Sequence, residues 1–456
     1  MGPLISKFGA WQRLVWRLGK ELLAQLWVRV LFVGAMAVVA LGVASLLGPT
    51  LPDEVSGYVS GKAADRLLSI IAGAMLAVTT FSLTVMVTVY RNSSSQFTPR
   101  VHRLIMQDPT TQNTLASFIG AYVYALVGII LRELQIFSDD RALVLFVMTV
   151  LVLIYVVWSL VRWVLHLQTF GSLMDTTRQI EKITRAQFKE RLKTPCLGAN
   201  PWTDETELPE DCESIRAPET GYVQHFYHES LDDKAREQGF DLYMAVNPGK
   251  FVMEGDVIAY GHRARDREEG CEDGDMTEIV QAHFKFGDVR TYNQDPRFGL
   301  MVLGEVASKA LSPGINDPGT AIDVITRSAR ILSDYQDETK SDAEVEYPRL
   351  WVRPLSPNDL IEDAFGALAR DGAGVIEVQQ RLQSALGRLI EHPSPDMGRA
   401  AFVAAGLEFR RARAALTFEP DVDRLRRSTA YSVLDALDSE DADDPLQDDH
   451  GVQDAD

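Results

Sequence analysis

An α-helical integral membrane domain of four transmembrane helices, followed by a cytoplasmic α+β region, is the architecture that three features of this 456-residue sequence predict. Four uncharged apolar stretches crowd its first third. Net charge changes sign where they end. Beyond them, strand-like alternation punctuated by Gly and Pro gives way to helical spacing.

Residues 1–25 open the chain with Trp11, Leu14, Val15 and Leu18 at helical spacing beside Arg13, Arg17 and Lys20. That pattern suits an interfacial amphipathic helix, although a frayed tail fits it nearly as well. No short apolar core with a small-residue cleavage site follows, so no removable signal peptide is expected. Within residues 26–166 the apolar stretches run Val30 to Leu47, Leu67 to Tyr90, Thr114 to Leu131 and Ala142 to Val161. At 1.5 Å per residue each crosses a hydrocarbon core of about 30 Å, and only a helix satisfies its backbone there.

Basic residues orient the spans. Lys7, Arg13, Arg17 and Lys20 precede the first, and Arg91, Arg100 and Arg103 lie between the second and third. The other two loops balance acids against bases. Trp158, Arg162 and Trp163 close the fourth span as headgroup anchors, and Arg178, Lys182 and Arg185 continue the bias. Both chain ends are thus expected on the cytoplasmic side of the membrane.

The formal charge of −19 conceals 13 Lys and Arg against 8 Asp and Glu up to His166, and 32 against 56 beyond it. An acidic domain lacks the basic face that phosphate neutralisation needs, which excludes nucleic acid as a partner. Cys196, Cys212 and Cys271 have no metal-type spacing. His225, His228, His262 and His283 are too loosely placed to argue for zinc with them, so no metal or cofactor is expected.

The second span carries a stripe. Ser69, Gly73, Ala77, Thr80, Thr84 and Thr88 recur every three or four residues and fall within an arc of about 100°. Lipid gains nothing from a small, hydroxylated face. Close packing against another helix is its commoner use; the sharper one is a polar pathway lined by symmetric copies, with Arg91, Asn92, Gln96 and Arg100 at its cytoplasmic mouth. In the third span Ser117, Ala121 and Ala125, with Gly120, Tyr124 and Gly128 beside them, repeat the small-residue device and are expected to pack on the second. No acid or His lies deep in a span, which disfavours a proton-coupled transporter.

Residues 167–213 read as a helix, Leu167 to Leu192, and a Pro-rich acidic linker. Residues 214–288 read as a small barrel-sandwich-like β module: a strand from Gly221, a helical insertion Ser230 to Gly239, a strand Asp241 to Val246, the turn Asn247-Pro248-Gly249, and a further strand from Phe251. It lacks the hairpin-apex lysine of a swinging-arm carrier. Residues 289–437 read as a helical subdomain, with helices at Gly299 to Leu311, from Asp317 to Ile331, Asn358 to Arg370, Val375 to Ile390 and Asp396 to Leu416, and one from Asp421. Asp317 and Pro318 suit an N-cap and first helical residue. The functional alternative is that Arg290, Thr291, Asp295, Asn316, Asp317 and Thr320 contact a small anionic ligand or a partner subunit. Residues 438–456 are acidic and expected to be disordered.

Several motifs occur in fixed order: Ser94 to Arg100, Gly221-Tyr222-Val223-Gln224, Pro248-Gly249-Lys250-Phe251-Val252, Arg290-Thr291 with Gln294-Asp295-Pro296, and Ala310 to Pro318 with Thr320-Ala321. Together they closely resemble the bacterial membrane-protein family called domain of unknown function 2254. His225 to His228 and Lys250 depart from its usual residues. The resemblance implies architecture and a bacterial inner membrane, and no reaction.

Three functions remain open. A homo-oligomeric channel or channel-like conduit with a cytoplasmic assembly domain comes first, followed by a membrane-anchored sensor or scaffold whose cytoplasmic protein partner the sequence does not identify. The third, an enzyme acting on a phosphorylated substrate, lacks a nucleophile elbow, a Walker loop or a zinc-protease helix.

Overall fold

A computed structural model describes residues 28, 42, 61–134, 142–263 and 275–443. The expected amphipathic segment, nearly all of the expected first span and the end of the acidic tail lie outside these residues. The chain divides into two compact units that meet between Asp175 and Thr176.

In the first unit, three helices are long and apolar enough to cross a membrane: Lys62–Ser93, Pro99–Glu133 and Leu145–Leu167. They comprise α1 (Gly61–Gln96), α2 (Pro99–Met106) with α3 (Pro109–Glu133), and α4 (Ala142–Leu167). At 36 residues α1 is about 54 Å long and outreaches the apolar core of a bilayer. Leu68, Ile71 and Met75 of α1 bury against Phe118, Ala121 and Tyr124 of α3, with Leu145, Val156 and Trp163 of α4 completing the cluster. The small face of α3 is buried as expected, and a Cβ on Gly128 would come within 3.0 Å of Leu68. Polar cross-links join the helices where water cannot: Ser117 to the Tyr155 hydroxyl at 2.7 Å, and Tyr124 to Thr149 at 3.1 Å. Arg132 pairs with Asp65 at 2.8 Å near one end of the bundle.

The helix expected from Leu167 begins instead at Leu173, as α5 (Leu173–Lys193). Gly171 adopts φ +78°, a left-handed conformation that ends one helix before the next starts. Within the second unit α5 is fastened by ion pairs along its length. Glu181 takes Arg327 at 2.5 Å and Arg330 at 2.7 Å, Arg185 takes Asp334 at 2.8 Å, and the buried Arg191 takes Glu338 at 2.5 Å. Glu338 also accepts the Cys196 and Leu355 amides, which satisfies a fully buried carboxylate.

The β structure of this unit forms two sheets around one apolar cluster. β1 (Ala199–Pro201), β2 (Glu213–Arg216), β4 (Phe240–Met244), β6 (Val257–Arg263) and β8 (Tyr347–Val352) order as β1-β8-β4-β6-β2. β3 (Gly221–Phe226) is central between β5 (Phe251–Val252) and β7 (Phe284–Gly287). Helices α6 (His228–Gln238) and α7 (Met276–Ala282) join these strands.

This departs from a self-contained barrel-sandwich. β8 lies in a stretch expected to be helical, yet it pairs in parallel with both β1 and β4. Pro348 hid it, because proline cannot donate to a ladder. The chain accommodates Pro348 at a register shift between Ala199↔Tyr347 and Asn200↔Trp351, and the Asn200 side chain donates to the Pro348 and Leu350 carbonyls.

The helical part comprises α8 (Pro296–Ala310), α9 (Pro318–Leu332), α10 (Pro357–Ile361), α11 (Ala367–Asp371), α12 (Ile376–Ile390), α13 (Pro395–Ala415), α14 (Glu419–Ser428) and α15 (Tyr431–Asp443). A π-helical turn, Glu362–Gly366, joins α10 to α11. Residues 438–443, expected to be disordered, continue α15. Leu434 and Leu437 anchor that helix against a cluster of Ile376, Phe409, Ala412 and Leu425.

Candidate functional site

Two places gather the residues singled out above. The first is the outer face of α1. Ser69, Gly73, Ala77, Thr80, Thr84 and Thr88 are all exposed, and a Cβ built on Gly73 would meet nothing within 4 Å. At 100° per residue, the stripe is centred about 180° from the face of Ala64, Leu68, Ile71 and Met75 that packs on the rest of the bundle. No described residue covers it. The hydroxyls of Thr80, Thr84 and Thr88 donate to the carbonyls of Leu76, Thr80 and Thr84 at 3.0 Å or less. Their protons are thereby satisfied inside the helix, and oxygen lone pairs remain to face outward. Arg91, Asn92 and Gln96 fall in the last turns of α1, and Arg100 in the first turn of α2.

The second place is a cleft of about 880 Å³ in the C-terminal unit. Its floor is built by the motif residues of the segment before α8. Arg290 grips Asp295 in a two-pronged pair, Nε to Oδ2 at 2.9 Å and Nη2 to Oδ1 at 3.0 Å, while Asp295 also caps α8 by accepting the Phe298 amide at 3.1 Å. Burial raises the Asp295 carboxyl above its ordinary value, and Arg290 pulls against that rise. Gly249, at φ +93°, lies so close that a Cβ there would fall 2.1 Å from Asp295 Oδ2. The Pro-Gly turn and the Gln-Asp-Pro turn therefore form one joint. Gln294, in the left-handed region at φ +54°, closes it by accepting the Phe226 amide at 3.2 Å and donating to the Phe226 carbonyl at 3.3 Å. Thr291 contacts the Gln224 carbonyl at 3.5 Å.

Asn316, Asp317 and Thr320 are elsewhere. They sit beyond the other end of α8, a 15-residue helix about 22 Å long, so the structure does not bring them to Arg290. Asp317 accepts the Thr320 amide at 3.1 Å and its hydroxyl at 2.5 Å, which caps α9 and holds the Asp317 carboxyl below the usual range. Asn316, at φ +50°, turns the chain between α8 and α9.

Sequence reasoning did not single out Arg353, Arg399, Asn247 and Trp202 as site residues, yet all four line the cleft. Lys250, in its motif turn, and Asn247, which opens the same turn, gave the only local signal. The others come from separate strands, loops and helices that tertiary folding alone brings together. Among the described residues no group of three or more His, Cys, Asp or Glu could hold a metal ion. Burial pushes the Cys196 thiol up to about 12, far from a reactive thiolate, and lowers His228.

Three apolar, membrane-length helices ahead of a large mixed α/β unit define a membrane protein. The family profile described as predicted membrane protein, domain of unknown function 2254, matches residues 24–388, and the chain belongs to that family. Uncharacterized proteins of Mycobacterium tuberculosis and Mycobacterium bovis are each 27% identical over 256 residues, 56% of this chain and 48% of theirs. The chain thus spans about half the length of the curated relatives it matches. No solved structure matches.

Proposed function

We propose that the protein is a homo-oligomeric, channel-like conduit of the bacterial inner membrane, with both termini and the C-terminal unit in the cytoplasm. The observation that carries this reading is the position of the α1 stripe, directly opposite the face that packs within the chain. A face of glycine, alanine and threonine offers lipid little contact area, whereas a second copy packs closely against it. Outward hydroxyl oxygens suit water or a partly dehydrated cation. The reading includes the lipid bilayer and other copies of the chain as partners, with ions or a small anionic ligand, and no nucleic acid, cofactor or catalytic step. Purified protein reconstituted in a planar bilayer is expected to pass current that Thr84→Trp alters. Folded oligomers that stay electrically silent would end the proposal.

A membrane-anchored sensor is the second reading, favoured by the charged cleft. It predicts ligand binding without conductance.

A further inference from the structure

The cleft has six cationic side chains, of which Arg191, Arg290 and Arg297 are each paired with a carboxylate. Lys250, Arg353 and Arg399 are exposed and meet no carboxylate at ion-pair distance among the described residues. On the acidic side, Arg290 holds Asp295, Arg297 holds Asp359, and Lys340 holds Asp337 at 2.8 Å. Asp204 and Asp396 alone remain, so the unpaired charge on the walls is net positive, in a part of the chain that is otherwise strongly acidic.

Arg353 is also prepared for a ligand. Its guanidinium stacks 4.6 Å from the centre of the Trp202 ring, which orients the plane and leaves the in-plane N–H groups available. Its backbone carbonyl is held by Asn247 Nδ2 at 3.1 Å and by Arg191 at 3.2 Å. The Asn247 side-chain oxygen, buried at the same wall, has no donor.

The geometry points to a binding site for a small phosphate compound in this cleft, with Lys250, Arg353 and Arg399 on the phosphate oxygens. A planar guanidinium matches phosphate through two N–H groups at once, and the volume suits a ligand of nucleotide size or smaller. Because Arg191 belongs to α5 and holds the Arg353 carbonyl, occupancy lies one residue away from the helix that follows the apolar spans.

The test uses the full chain in a phosphate-free detergent and follows its thermal midpoint against pyrophosphate, with chloride at equal ionic strength as the control. A saturable rise is expected, weakened at least about tenfold in apparent affinity by combining Arg353→Gln and Arg399→Gln. Both side chains are exposed, so the fold is expected to survive. Arg381→Gln, an exposed change on α12 outside the cleft, is expected to leave the rise intact. No saturable response up to about 10 mM, or an equal response in the double variant, would overturn the site, and neither outcome bears on conductance.

Discussion

Helices α1 and α5 use polar side chains in opposite ways. On α1 the threonine hydroxyls close onto their own backbone and the small face is turned away from the bundle, so nothing within the described chain depends on it. On α5, Glu181 and Arg191 are buried and joined to residues about 150 positions further on. Polarity left outside in the apolar unit is, on the proposed function, a surface for a second copy of the chain. Polarity taken inside in the polar unit fixes one helix in one place.

The sharpest way to break this contrast is Arg191→Ala. It strips the buried Glu338 of its guanidinium and is expected to cost about 3–5 kcal/mol, read from denaturant unfolding of the full chain. A loss below about 1 kcal/mol would show that α5 is held by apolar packing instead. Gly249→Ala comes next, at about 2–4 kcal/mol, since the new methyl meets the Asp295 carboxylate from a backbone conformation that alanine resists. An unchanged midpoint would separate the two motif turns.

A pH profile sharpens the picture of the polar unit. Burial, with Glu362 nearby and Arg411 opposing, pushes Glu408 up to about 7 from its ordinary 4.5. The folded state therefore holds this proton more tightly than the unfolded one. Its contribution is complete below pH 4.5 and is lost as pH rises through 7, on the order of 3 kcal/mol. Glu408→Gln is expected to flatten that slope; an equally steep decline in the variant would place its origin elsewhere.

The smallest effect belongs to the membrane unit. Thr84→Val removes a hydroxyl bonded only within its own helix and is expected to change subunit stability by less than about 0.5 kcal/mol. A larger loss measured on the isolated subunit would mean that the stripe supports the single chain.

The apolar helices were legible because a membrane demands length and composition, both of which are local properties. The cap at Asp317 was legible for a similar reason, its hydrogen bonds closing within three residues, whereas the like cap at Asp295 was read only as a candidate contact. What escaped depends on distant pairing. β8 joins its sheet despite Pro348, and α5 starts late because Gly171 turns left-handed. The cleft brings Lys250 to Arg353 and Arg399 across some 150 residues, a juxtaposition with no local signature.

Cysteine cross-linking tests the central claim most directly. With the native cysteines replaced by serine, Thr84→Cys and Thr80→Cys in native membranes are expected to form dimers between copies under mild oxidation. Ile71→Cys, on the buried face, is expected not to. Thr84→Cys chains that remain monomeric, yet cross-link internally to a cysteine placed within residues 30–47, would show that the stripe packs inside one subunit and would contradict the account.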